Sequence, residues 1–209
     1  MTDAQVVVLV LAALAAIANW WSRLADSDRV EAWSKPLVTG LVVVLAAVAD
    51  APTGQRVIAV IALVLCLGGD VALMPAVDKF VIGLASFLLG HVVFVVLFLQ
   101  QRLDAPALGL VAAALAVVLA ATAGRRIVAG AASGDPALRL PVSAYLVVIS
   151  TMTVVGWATG RPWVIVGSTA FVISDSVLGW RQFVSESRWM SVTVMVTYHV
   201  AIASLALGV

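Results

Sequence analysis

The sequence predicts an all-α, polytopic membrane bundle of about eight spanning helices in a single domain, residues 1–209. Three observations carry that prediction. The 209 residues are 63% hydrophobic and only 11% charged, against about 45–50% and 25% in ordinary soluble domains. Apolar segments long enough to cross a bilayer recur eight times, with no polar stretch long enough for a second domain. Single carboxylates sit inside two of those segments, at Asp70 and Asp175.

A bilayer core of about 30 Å needs about 20 residues of helix. The segments 4–20, 36–50, 56–75, 80–99, 105–123, 140–160, 162–181 and 189–208 meet that length or approach it. The first follows Asp3 rather than a cluster of basic residues, so it reads as a retained helix and not a cleaved signal. The second is short and opens at Pro36, a residue suited to a first helical turn because its missing N–H leaves no bond unmade. The odd connections hold Arg23, Arg29, Lys35, Lys79, Arg125, Arg126, Arg139, Arg181 and Arg188, whereas the even ones hold Arg56, Arg102 and Arg161. That asymmetry predicts cytoplasmic odd connections, with both termini outside.

Several classes are excluded or disfavoured. A net charge of +1 with scattered basic residues carries no nucleic-acid signal. The lone Cys66 rules out an intramolecular disulfide. No phosphate-binding or dinucleotide loop, serine-hydrolase elbow or His-x-x-x-His pair occurs, so the reading includes neither a cofactor nor a metal.

The intramembrane acids are the informative residues. An aspartate at membrane depth costs about 2.5–3.5 kcal/mol on insertion scales and normally faces a cavity or a partner. Asp70 follows Gly68 and Gly69, which would let a neighbouring backbone approach; Asp175 shares a helix face with Ser168, Phe171 and Leu178. Asp70 and Asp175 are placed near the inner ends of their helices, with Lys35 and Tyr145 on the same side and His91 and His199 nearer the midplane. The histidine following each aspartate in the next span gives an internal echo, so that 1–104 and 105–209 read as two parallel four-helix halves. Phe80, Gly83, Phe87 and His91 form one stripe, either helix–helix core or a surface for a hydrocarbon chain. Tyr198 and His199 are about 100° apart on a helix, so at most one should face the site squarely.

Taken together, Lys35-Pro36, Gly69-Asp70-x-x-Leu73-Met74, Phe80-x-x-Gly83-x-x-x-Phe87-x-x-x-His91, Tyr145, Phe171-x-x-Ser174-Asp175 and Tyr198 resemble the YhhN-like lysoplasmalogenase family. These are multi-pass membrane enzymes that hydrolyse the vinyl-ether bond of lysoplasmalogens. Ile202 departs from the pattern, standing where a glutamine is more usual, and His199 stands where another residue is common. The resemblance implies an enzyme without cofactor, acting on a lysophospholipid amid membrane lipids. Asp70 and Asp175 would be its acid and base, in an order left open. Lys35 at the mouth would meet the lipid phosphate with Tyr145 nearby, and His91, Phe87, Ser174, Tyr198 and His199 would line the substrate site. Two other readings also use paired acids: a proton-coupled transporter and an intramembrane aspartyl protease. The protease motif would need glycine at Leu67 and tyrosine at Ser174.

Overall fold

The computed structural model describes residues 2–209. Its helices are α1 (Asp3–Leu24), α2 (Asp28–Ala47), α3 (Thr53–Ala72), α4 (Phe80–Leu99), α5 (Pro106–Leu119), α6 (Arg125–Gly134), α7 (Arg139–Ala158), α8 (Pro162–Phe183) and α9 (Arg188–Leu207). A π-helical turn, Ala120–Gly124, joins α5 to α6, so Pro106–Gly134 makes one span, and eight helical segments among the described residues are long and apolar enough to cross a membrane.

Three boundaries correct the sequence reading. The second span starts at Asp28, not Pro36, and Pro36 lies inside the helix. Hydropathy falls over 28–35, but Glu31, Ser34 and Lys35 are buried against polar partners within the bundle, so polarity there does not mark a loop. The third span ends at Ala72, because a residue preceding proline is disfavoured from helical geometry and Met74 precedes Pro75. Asp70 therefore stands in the last turn of α3, whereas α8 continues for two further turns beyond Asp175 to Phe183. In the fifth span, helix continues through Arg125 and Arg126 to Gly134, where the sequence suggested a loop. The buried face of Ile127 and Ala131 holds that extension onto α7 and α8.

Helix α3 packs chiefly on α4, and α8 chiefly on α9. Around the bundle, α2 meets α1, α3 and α9, while α4 meets α7 and α7 meets α8; α5 lies outside, against α7. The core runs along the centre, with Phe94, Phe98, Phe171, Leu63, Met152 and Ile202 fully buried. Outward-facing Val10, Leu14, Leu110, Val117 and Val147 are exposed, as expected of residues whose solvent is lipid.

Small residues decide how closely helices approach, because lipid provides no hydrophobic drive for association. A side chain at Gly167 would meet Leu205 at 2.6 Å and the Ala201 carbonyl at 3.0 Å. One at Gly130 would collide with the Phe183 carbonyl, where α6 crosses the end of α8. Gly40, by contrast, has open space around it. Gly130→Ala should therefore lower the thermal midpoint in detergent, corresponding to a loss of about 1–3 kcal/mol. Gly40→Ala should leave it unchanged or raise it, since alanine is the better helix former; equal responses would refute the close α6–α8 crossing.

Candidate active site

The two aspartates reach one cavity from different helices. Asp70 is 1% exposed at the end of α3, and its Oδ2 accepts hydrogen bonds from the Thr39 hydroxyl of α2 at 2.5 Å and the Tyr198 hydroxyl of α9 at 2.7 Å. The Lys35 ammonium lies 3.7 Å from Asp70 Oδ1, which is buried and accepts no hydrogen bond. Hydroxyl donors and a cation offset the desolvation of a carboxylate, and here they come from neighbouring helices.

Asp175, on α8, is differently equipped. Its Oδ2 accepts a 2.5 Å hydrogen bond from the Tyr145 hydroxyl of α7, and His91 Nε2 of α4 lies 3.5 Å from the same oxygen. No cation pairs with it among the described residues, and its side chain is 8% exposed, at the cavity wall. His91 is enclosed edge-on by Phe171, at 4.5 Å between ring centres, and Tyr145, at 5.3 Å. Those rings fix the imidazole against the carboxyl.

Two adjoining pockets with lining residues in common make up the two branches of the cavity. The polar one, of about 140 Å³, opens between the ends of α1, α2, α8 and α9 and is lined by Arg23, Glu31, Lys35, Asp70, Asp175 and Arg181, among others. The apolar one is narrow, about 40 Å³, and lies among α4, α6, α7 and α8, with Asp175 the charged residue in its lining. Leu73, Phe87, Asp175 and Leu178 line both.

Most residues singled out from sequence converge here. Phe87 packs edge-on against Tyr198 at 5.7 Å, and its ring occupies the space a side chain on Gly69 would need. Gly69 thus makes room for an aromatic ring rather than a backbone. Ser174 lines the polar branch while donating to the Val194 carbonyl at 3.1 Å. Three expectations need correction. His91 lines neither branch: it is fully buried behind the Asp175 carboxyl, enclosed by Phe171 and Tyr145. Lys35 is not at the mouth: at 4% exposure it lies deep beside Asp70, because α2 starts two turns earlier than its hydropathy suggested. His199 does not line the cavity; its Nδ1 accepts a 3.0 Å hydrogen bond from the Trp20 indole on α1, leaving Tyr198 to face the site.

Sequence reasoning missed several residues. Thr39 stands one helical turn after Lys35, and that i, i+4 spacing was its available signal. Arg23 and Arg181 were read as loop charges, yet both line the polar branch. Arg23 is held by an ion pair with Glu31 and a 2.7 Å hydrogen bond to Ser191; Arg181 pairs with Glu186 at 2.8 Å. The Arg23–Ser191 contact joins positions distant in sequence, which no local pattern encodes.

An eight-span helical bundle with two buried carboxylates on one forked cavity defines a class of multi-pass membrane proteins with a polar intramembrane site. The chain belongs to the YhhN family, whose sequence pattern matches residues 30–209. Similar curated proteins include the lysoplasmalogenases of Mycobacterium bovis (strain ATCC BAA-935 / AF2122/97) and Mycobacterium tuberculosis (strain CDC 1551 / Oshkosh). Each is 34% identical over 168 residues, covering 77% of this chain, and the chain spans 64% of their length. No solved structure gives a significant match.

Removing the Lys35 ammonium by Lys35→Met should leave Asp70 as a buried carboxylate without a cation, lowering stability by about 3–5 kcal/mol. Adding Asp70→Asn to that variant should recover much of the loss. Thermal or denaturant unfolding in detergent checks both, and additive effects of the two changes would refute the coupling.

Proposed function

We propose that the protein is a membrane-embedded hydrolase that cleaves the vinyl-ether bond of lysoplasmalogens. The observation that carries the reading is the pair of carboxylates, differently equipped, lining one cavity whose walls are charged on one side and apolar on the other. The names of the mycobacterial relatives support the same substrate class.

Vinyl-ether hydrolysis needs an acid that protonates carbon and a base that activates water. Asp175 is the acid: it lacks a cationic partner among the described residues and stands where the branches meet. Its carboxyl proton passes to the chain-side alkene carbon, giving an oxocarbenium centred on the neighbouring carbon and the ether oxygen. Asp70, held as carboxylate by Lys35, Thr39 and Tyr198, faces that cation and takes a proton from the attacking water. In the resulting hemiacetal, Asp175 recovers the hydroxyl proton as the carbonyl forms. Asp70 returns its proton to the departing alcohol oxygen. The products are a fatty aldehyde and a glycerophospho-alcohol, one water is consumed, and both acids regain their starting states.

Tyr145 and His91 orient Asp175. Arg23 takes the lipid phosphate at the mouth, in place of Lys35, because a planar guanidinium binds phosphate oxygens in pairs. The odd connections, with their surplus of Lys and Arg, flank this mouth, so the site opens to the cytoplasmic side and both termini lie outside. We also read 1–104 and 105–209 as parallel halves: α4 packs on α7 and α9 on α2, and each aspartate is met by an aromatic residue of the other half, Asp70 by Tyr198 and Asp175 by His91.

The test is aldehyde release from a lysoplasmalogen by the purified protein. Asp70→Asn and Asp175→Asn should each lower kcat by about a hundredfold or more, and Arg23→Met should chiefly raise KM. In heavy water the aldehyde should gain one deuterium on the carbon next to its carbonyl, the mark of carbon protonation. An active Asn variant would refute the carboxylate pair, and well-folded wild type that releases no aldehyde would refute the reaction.

A further inference from the structure

The apolar branch has no part in the proton transfers, yet it ends at the acid. Its wall comprises Phe80 and Leu84 of α4, Ile127 of α6, Val142 and Leu146 of α7, and Leu73 beyond α3. Two local features make the space. The π-helical turn at Ala120–Gly124 lets the fifth span run on as α6 and bring Ile127, 2% exposed, onto the site. Gly179 of α8 faces Ile127, where an added side chain would come within 3.2 Å of it. Toward the far end, Phe80 packs edge-on against Phe183 at 5.5 Å.

An amphiphile with one hydrocarbon chain has a single boundary between its apolar and polar parts. The cavity has one such boundary as well, at the residues shared by both branches: Leu73, Phe87, Asp175 and Leu178. Arg23, Glu31, Lys35, Asp70 and Arg181 belong only to the polar branch. We infer that the apolar branch among α4, α6, α7 and α8 is the seat of the substrate's hydrocarbon chain, and that Val142, Leu146 and Ile127 set the chain length accepted. This rests on the amphiphile reading above and deepens it. A chain lying there and a headgroup in the polar branch put the first chain carbons against Asp175, with Asp70 on the headgroup side. The fork thereby selects the bond to be protonated by geometry, without any group that recognises the alkene itself. It also favours one chain over two, since a single apolar branch leaves the junction.

Val142→Phe and Leu146→Trp fill the branch from α7 without touching either aspartate, and Leu110→Trp, on the outer face of α5 at 74% exposure, is the control. The probes are a short-chain and a long-chain alkenyl lysophospholipid for turnover, and the matching saturated alkyl-ether lysophospholipids, which cannot be cleaved this way, for binding in nanodiscs. The ratio of long-chain to short-chain kcat/KM should fall about tenfold or more in both branch variants and hold in the control. Binding of the saturated analogues should show the same selective loss. Wild-type turnover with an unchanged chain-length ratio in both variants would overturn the chain seat and leave the reaction standing. Selective loss of long-chain binding, with no turnover of either alkenyl lipid by any form, would support the seat and refute the vinyl-ether reaction.

Discussion

The structure depends on giving the Asp70 carboxyl partners inside a bundle that is otherwise built for lipid. A carboxylate with its water removed is destabilised by several kcal/mol unless donors and a cation replace the solvent. Here they come from two further helices: Thr39 and Lys35 from α2, and Tyr198 from α9. The requirement draws α2, α3 and α9 together at one level, and it explains why α2 carries a buried Lys35; its buried Glu31 and Ser34 are met instead by Arg23 and Asn19 of α1. Glu31 holds Arg23 in the lining of the polar branch. In a low-dielectric setting Asp70 and its three partners stand or fall together.

Asp175 answers the same constraint with fewer donors. One phenol and a nearby imidazole meet it, and the aromatic rings of Phe171 and Tyr145 enclose that imidazole. Two acids of one residue type thus stand in unequal surroundings, the arrangement that lets carboxyl groups divide acid and base roles. Aromatic packing also supplies rigidity. Phe87 fills the gap at Gly69 and braces Tyr198, so the hydroxyl that reaches Asp70 is held by contacts with α4. A packing residue on one helix therefore positions a hydrogen bond between two others.

How much was legible in sequence varies by feature, for physical reasons. Spans declare themselves because a bilayer demands length and apolar character together, and α4 matches its expected limits, residues 80–99, at both ends. Boundaries failed where polar residues interrupt the apolar pattern of a helix. Asp28–Lys35 read as a loop by hydropathy, and Arg125–Gly134 was lost because a π-helical turn and two arginines interrupt the apolar pattern. Asp70 and Asp175 stood out because an acid at that depth is costly. Thr39, Arg23, Glu31 and Arg181 did not, since hydroxyls and helix-end charges are ordinary in membrane proteins and acquire meaning only from what they touch.

The sequence by itself determined the all-α membrane class, the eight spans and the two intramembrane aspartates, because hydropathy and the cost of a buried charge are properties of local composition. Tertiary structure decided the rest. It set Lys35 beside Asp70, turned His199 to Trp20 and Tyr198 to the cavity, and ran α6 along the wall of an apolar branch ending at Asp175. Those outcomes depend on the rotation and depth of each helix relative to its neighbours. Close packing at small residues such as Gly69, Gly130 and Gly167 fixes both, and it involves partners far apart along the chain.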